Sequence, residues 1–198
     1  MGVLYRKRGA RLASLIDGGV QEGGLRAGTE NVPAIVGAGV AAEIAARELP
    51  QRKARTARLQ QRLWEGIQGT VPYVKLNGPD PGPRRISTNL NLSFEFIEGE
   101  GLALMLDMQG IAVASGPSCV SKLLRISPVL TAIGLDHSLA QGNIILSLGK
   151  DNTEEEVDSA LETFTKVVAR LRGMSPTWDE FQRGLVDSLI RPRSGGRP

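Results

Sequence analysis

From residue 90 the apolar positions of this chain alternate. Leu90, Leu92, Phe94 and Phe96 stand two apart with polar neighbours between them, which predicts a strand with one buried face. Upstream, Leu59, Leu63 and Ile67 recur at every fourth residue and predict a helix. An earlier helix is expected through "AIVGAGVAAEIAARE", capped at Thr29 with Pro33 in its first turns, and Pro50 is expected to separate these helices. Downstream, "GEGLALMLDMQG" reads as a helix stopped by Gly110 and "IAVAS" as a short buried strand. Ser127 and Pro128 open a helix that Gly134 closes, and "NIILSLG" is another strand. Thr153 and Glu156 form a capping box for a helix whose stripe, Val157, Leu161, Phe164, Val168 and Leu171, ends at Gly173. A short amphipathic segment follows with Trp178, Phe181 and Leu185.

The remaining segments set the organisation. "GVLYRK" has strand character without a leader, so the chain reads as though it begins within a domain, and "IDGGVQEGGLRAGTEN" reads as a glycine-rich loop. Pro and Gly cluster in "NGPDPGPRR" and mark a turn between layers. The expectation is an α/β chain with three regions. Residues 1–76 belong to one domain, 77–186 form a small C-terminal α/β domain with an antiparallel or mixed sheet, and 187–198 are a disordered basic tail.

At 198 residues and 41 % hydrophobic content, the chain can build a core. No apolar run approaches the roughly 18 residues of a membrane span, and the N-terminus lacks a signal peptide's apolar core, which points to the cytoplasm and away from a membrane. The net charge of +3 resides in the tail "RPRSGGRP", so the body is neutral, which argues against a nucleic-acid partner. One basic cluster remains, Arg52, Lys53, Arg55, Arg58 and Arg62. It reads as the solvated face of a helix, with a docking patch for an acidic partner as the alternative.

The only cysteine, Cys119, lies in "VASGPSCVSK" among small polar residues. One cysteine forms no internal disulfide and no multi-thiolate metal site, which leaves a nucleophile, a sulfur carrier or a ligand shared with a partner. A polar loop spares the thiolate the rise in pKa that apolar burial imposes, and Gly116 with Ser115, Ser118 and Ser121 allows the backbone to move. The one histidine, His137, follows a candidate N-cap, Asp136, and reads as a surface helix residue more than as a partner for Cys119. Loop 17–31, with Thr29 at a helix start, has the chemistry of an anion site, although it lacks a Walker lysine and G-x-G-x-x-G, and a tight glycine-rich crossover is the other reading.

Taken in order, "GVLYRK", "GGVQEGGLRAGTENVPAIVGAG", "LNGP", "NLNLSF", "GEGLALMLDMQGIAVASGPSC", "SPVLTAIGL", "SLGKDNTEEEVD" and "LRGMSP" resemble the cysteine desulfurases of the class V aminotransferase superfamily, in the nitrogen-fixation and iron–sulfur-cluster group. The resemblance implies the fold type I of pyridoxal-phosphate-dependent transferases, represented here by the end of the large domain and the small C-terminal domain. It implies that Cys119 takes sulfur from L-cysteine as a persulfide, releasing L-alanine, and that Thr29 reaches the phosphate of pyridoxal 5'-phosphate bound in the neighbouring subunit. It further implies a homodimer or split-subunit complex and a sulfur-acceptor or iron–sulfur scaffold protein as partner. Two departures accompany it. The family's cofactor lysine belongs upstream of Met1, so a non-catalytic binding or sulfur-accepting module is the alternative. Ile145 stands where the family usually has an arginine for the substrate carboxylate, and Lys150 where another arginine is common.

Overall fold

The computed structural model describes residues 1–116 and 127–190. The chain divides into two compact units, Met1–Pro50 and Gln51–Pro198. Leu59, Leu63, Trp64 and Ile67, which precede the boundary expected near 76, are buried in the same cluster as the sheet.

The first unit holds a short turn of helix, α1 (Gln21–Gly24), and the beginning of α2 (Val32–Thr70). Asn31, not Thr29, caps α2: its Oδ1 accepts from Ala34 N at 3.1 Å, and its carbonyl accepts the first helical bond from Ile35 N. Pro50 does not divide the helical run but sits inside α2. Proline removes one helical donor, and the carbonyl it leaves free belongs to exposed Ala46, where water can satisfy it, while strong helix formers continue on both sides. "GVLYRK" forms no strand; its residues are exposed and find no strand partner among the described residues.

The second unit is a four-stranded sheet in the order β1-β2-β4-β3. Its strands are β1 (Val74–Leu76), β2 (Asn89–Phe94), β3 (Ala114–Ser115) and β4 (Asn143–Ser147), and every pairing is antiparallel. Alternation sends Leu90, Leu92, Phe94, Ile144 and Leu146 to one face, where they meet α2, α3 (Gly99–Asp107) and α6 (Glu154–Gly173) in one core. Phe94 and Phe164 stack there with centroids 5.9 Å apart, and burying each ring stabilises the fold by about 1.5–3 kcal/mol. The capping box at Thr153 and Glu156 forms as its spacing predicts.

Helices α2 and α6 lie side by side and run the same way. Arg58 pairs with Glu154 at 3.0 Å, Arg62 grips Asp158 with two 2.7 Å bonds, and Gly66 lies against Leu161. Arg55 donates to the Asn152 carbonyl at 2.7 Å. The basic cluster is therefore matched largely within the chain, by the acidic first turn of α6.

Beyond α6, α7 (Pro176–Gln182) brings Trp178 and Phe181 onto Tyr73 and Phe96. Tyr73 and Phe96 both adopt left-handed backbone, φ 53° and 69°. Buried Arg172 spans the pair, donating to the carbonyls of Tyr73 and Glu95 at 3.2 Å each. Residues 188–190, at the start of the expected tail, are hydrogen-bonded to Glu95. Buried Glu95 accepts from Ser188 Oγ, Leu189 N and Ile190 N, and Ile190 joins a second cluster with Leu130, Leu135, Leu139 and Ala140. Leu130 lies on α4 (Pro128–Ala132), and Leu139 and Ala140 on α5 (His137–Gln141).

Candidate active site

The face of the sheet away from the helices is polar. Register puts Lys75, Ser93 and Asn143 in one row, and Asn91, Ile145 and Ala114 in the next. Asn77 extends the second row, because its N–H donates to the Asn91 carbonyl at 2.9 Å. Asparagine is depleted in strands, so three at one spot require a reason beyond propensity.

The hydrogen bonds orient all three carboxamides. Asn143 Nδ2 donates to the Leu92 carbonyl at 3.1 Å, and a carbonyl takes only a donor. The same Nδ2 meets Asn91 at 2.5 Å, so the atom Asn91 presents must be its acceptor, Oδ1. Asn77 also approaches that Oδ1, at 2.7 Å, and must therefore present its own Nδ2, which donates to Ser93 Oγ at 2.9 Å as well. Two consequences follow. Asn77, only 4 % exposed, is left with a buried Oδ1 that has no partner. Such an orphan costs about 1–3 kcal/mol. Asn91 is left with its Nδ2 pointing out of the network, unpaired among the described residues and not enclosed. The loop before β2 supports the cluster, since Arg85 donates to the carbonyls of Asn77, Pro79 and Asn89.

Ala114 and Ser115 carry the chain from this row towards Cys119, and Gly116 turns it at φ +42°. Cys119 itself lies outside the described residues. Ile145 is half-buried, paired with Asn91 on one side and Ala114 on the other, and it brings no charge to the row. Lys150 is engaged by Asp151 at 2.7 Å. His137 is exposed, one residue after Asp136, whose carboxylate caps α5 by accepting from Ser138 N at 2.9 Å. Accepting from Ser138 also holds the Asp136 carboxyl below the usual range.

In the first unit Thr29 is exposed, and its hydroxyl makes no bond to the described residues. Arg26 Nη1 bends over the loop and donates to the carbonyls of Gly28 at 2.9 Å, Ala27 at 3.3 Å and Thr29 at 3.5 Å, while Gly28 N donates to Gln21 Oε1. A free hydroxyl and a guanidinium beside the start of a long helix are the donor set that a phosphate takes.

Sequence reasoning singled out Cys119, Thr29 and Ile145 and did not single out the hydrogen-bonded Asn77, Asn91 and Asn143. Their signal was present in "LNGP", "NLNLSF" and "GNIILS" as asparagines at polar positions of strands.

The fold is that of the pyridoxal-phosphate-dependent class V aminotransferases: the aminotransferase class-V pattern matches residues 16–160, and the chain belongs to that family. Within it, the chain is similar to cysteine desulfurases. It is 46 % identical over 183 residues to the cysteine desulfurase IscS of Clostridium botulinum, covering 92 % of this chain and 46 % of the relative. With cysteine desulfurase IscS 1 of Archaeoglobus fulgidus the identity is also 46 %, over 90 % of this chain and 46 % of the relative. A solved NifS-like protein superposes with a TM-score of 0.72 at 36 % identity, over 84 % of this chain and 42 % of that one. The chain thus spans about half the length of the curated relatives it matches. The family depends on pyridoxal phosphate. Thr29, with Arg26 beside it, fits the phosphate of that cofactor. No helix among the described residues is long and apolar enough to cross a membrane.

Proposed function

We propose that this chain is the sulfur-receiving portion of a cysteine desulfurase, taking sulfur from L-cysteine onto Cys119. The similarity to cysteine desulfurases across nine-tenths of the chain carries the reading. It is supported by the place of Cys119 in the sequence, four residues after the end of β3. The Cys119 thiolate attacks the substrate sulfur; an S–S bond forms as the substrate's Cβ–S bond breaks. Cβ keeps the electron pair and gains a proton, so L-cysteine leaves as L-alanine. Cys119 holds the added sulfur as a persulfide, oxidised as the carbon is reduced. Pyridoxal phosphate, when bound, supplies the electron sink that makes this cleavage feasible. Thr29 holds its phosphate, and the small residues around Cys119 let the loaded sulfur swing to an acceptor. The acceptor is an iron–sulfur scaffold or thio-cofactor protein, and the working assembly is a homodimer in which Thr29 serves the neighbouring subunit.

The protein carrying this chain, supplied with pyridoxal phosphate and L-cysteine, is alkylated, digested and weighed by mass spectrometry. The Cys119 peptide is expected to gain one sulfur atom in step with L-alanine release. Cys119→Ser is expected to fold normally and abolish both, because an alcohol is a far poorer nucleophile than a thiolate at neutral pH. Undiminished L-alanine release from Cys119→Ser overturns the assignment.

A further inference from the structure

Glu95, directly after β2, keeps a carboxylate inside the protein: the residue is 7 % exposed. A charge so placed persists where hydrogen bonds meet it. Among the described residues three donors do, and all of them come from one tripeptide. Ser188 Oγ donates to Oε2 at 2.6 Å, Leu189 N to Oε1 at 2.7 Å and Ile190 N to Oε2 at 3.3 Å. Arg172, the cation nearby, spends its hydrogen bonds on the carbonyls of Glu95 and Tyr73. We propose that Ser188–Ile190 is a detachable strap, and that the groove it fills, Glu95 with Leu130, Leu135, Leu139 and Ala140, docks a short peptide segment of a partner protein. The partner segment has the strap's own pattern: a hydroxyl residue, a branched aliphatic residue two positions on, and free main-chain N–H groups between them. The proposal is independent of the sulfur chemistry above.

The strap's contacts define the ligand. Two successive main-chain N–H groups bind the two carboxylate oxygens, and any residue but proline supplies such a donor, so these bonds give affinity without reading sequence. Selectivity comes from two side chains. The single hydroxyl proton of Ser188 goes to the carboxylate, its nearer acceptor, while its oxygen accepts from Ile190 N at 3.1 Å and turns the segment. Ile190 then enters the apolar cluster, where it is the one partly buried hydrophobic residue packed on it among the described residues. Detachment breaks little else. Residues 185–190 belong to no helix or strand, Leu185 and Leu189 are 69 % and 54 % exposed, and Gly184 turns the chain off α7 in left-handed backbone at φ +71°. It leaves a carboxylate stripped of donors beside an apolar hollow, which the same peptide chemistry from a partner satisfies again. An acidic side chain in place of Ser188 or Ile190 would meet Glu95 as a like charge, and proline at either N–H position would lack the donor. Because the cluster joins α4 to α5, an occupied groove also steadies those helices.

The test uses the full 198-residue chain and one probe, the amidated peptide Leu185–Ile190 with a fluorophore at its N-terminus. Hydrogen exchange read by mass spectrometry compares wild type with Ile190→Asp, which sets a carboxylate where the apolar side chain sits and so detaches the strap. Exchange in residues 128–141, which hold α4 and α5, is expected to quicken by about tenfold or more, with α6 unchanged. Adding the peptide is expected to restore slow exchange. A peptide with Leu189→Pro, or the unaltered peptide added to the Glu95→Gln, Ile190→Asp double variant, is expected to leave exchange fast. By fluorescence anisotropy the peptide is expected to bind wild type at least about tenfold more weakly than Ile190→Asp, because the tethered strap competes at a high effective concentration. Unchanged exchange in 128–141, equal quickening in α6, a peptide that fails to restore protection, or equal binding of the Leu189→Pro peptide overturns the proposal. Where Ile190→Asp does not fold, Ser188→Ala, which removes one donor and leaves the apolar contact, decides by the same measurements.

Discussion

Gly142→Ala separates the space available to a residue from its backbone conformation. Gly142 ends α5 with φ −82° and ψ 20°, which alanine adopts freely, so the substitution introduces no torsional strain. A Cβ there would lie 2.0 Å from the Phe94 carbonyl oxygen and 2.9 Å from that of Ile97. Both obstacles are backbone, so relief requires β2 and the start of β4 to move apart. Moving them strains the 2.9 Å bond from Phe94 N to the Gly142 carbonyl, whose loss leaves buried groups unpaired at about 1–3 kcal/mol. Crowding adds about 1–3 kcal/mol, and the stiffer unfolded chain returns about 0.4–1 kcal/mol. The net is a destabilisation of about 2–4 kcal/mol, or roughly 5–15 °C in melting temperature for a protein of this size. Gly110→Ala is the contrast: Gly110 is left-handed at φ +79° with open space around it, so only the conformational term applies, about 1–2 kcal/mol. Melting curves by circular dichroism give both values. If Gly142→Ala melts at or above wild type, or Gly110→Ala proves the more damaging, steric exclusion at the β2–β4 junction is refuted. Because Asn143 is the next residue, the Gly142→Ala protein should also show a displaced Asn91 side-chain signal.

Two further outcomes are expected. Arg172→Met should lower stability by about 3 kcal/mol, since it leaves the carbonyl of Glu95 short of a donor and removes a cation 5.7 Å from the Tyr73 ring and 5.2 Å from that of Trp178; burial already pushes that guanidinium down to about 10, and denaturant melts indistinguishable from wild type would contradict the role. In acid, Asp158 is held below the usual carboxylate range by its hydrogen bond and charge pairing with Arg62, and Glu156 by Asn152 and the Thr153 backbone. Their folded values lie below their unfolded ones, so their contribution is complete above about pH 4–4.5 and is lost as pH falls through the folded values. Asp158→Asn should flatten some of that acid dependence while leaving stability near neutrality little changed, as solvent screens an exposed ion pair; an unaltered acid profile would count against the pairing.

Local signals were legible where neighbours in sequence supply the energy. The capping box at Thr153, the stripe of α6, the alternation of β2 and the turn at Gly134 depend on residues within a few positions of one another, and each is where its pattern puts it. The helix cap was misplaced by two residues because Thr29 and Asn31 are both capping types and only the fold decides which carbonyl starts the ladder. Pro50 was read as a break because proline removes a donor, yet exposure lets water replace the lost partner.

The sequence by itself determined the family, through motifs whose order and spacing survive across the chain. It could not determine that Asn77, Asn91 and Asn143, from three separate segments, share one hydrogen-bond network, nor which way their carboxamides point. Nor could it show that the basic run of α2 meets the acidic turn of α6, about a hundred residues on, or that Glu95 gathers residues 188–190. Hydrophobic period and caps are short-range and can be read from the chain alone, whereas strand register, carboxamide orientation and ion pairing exist only once distant segments are brought together by the core.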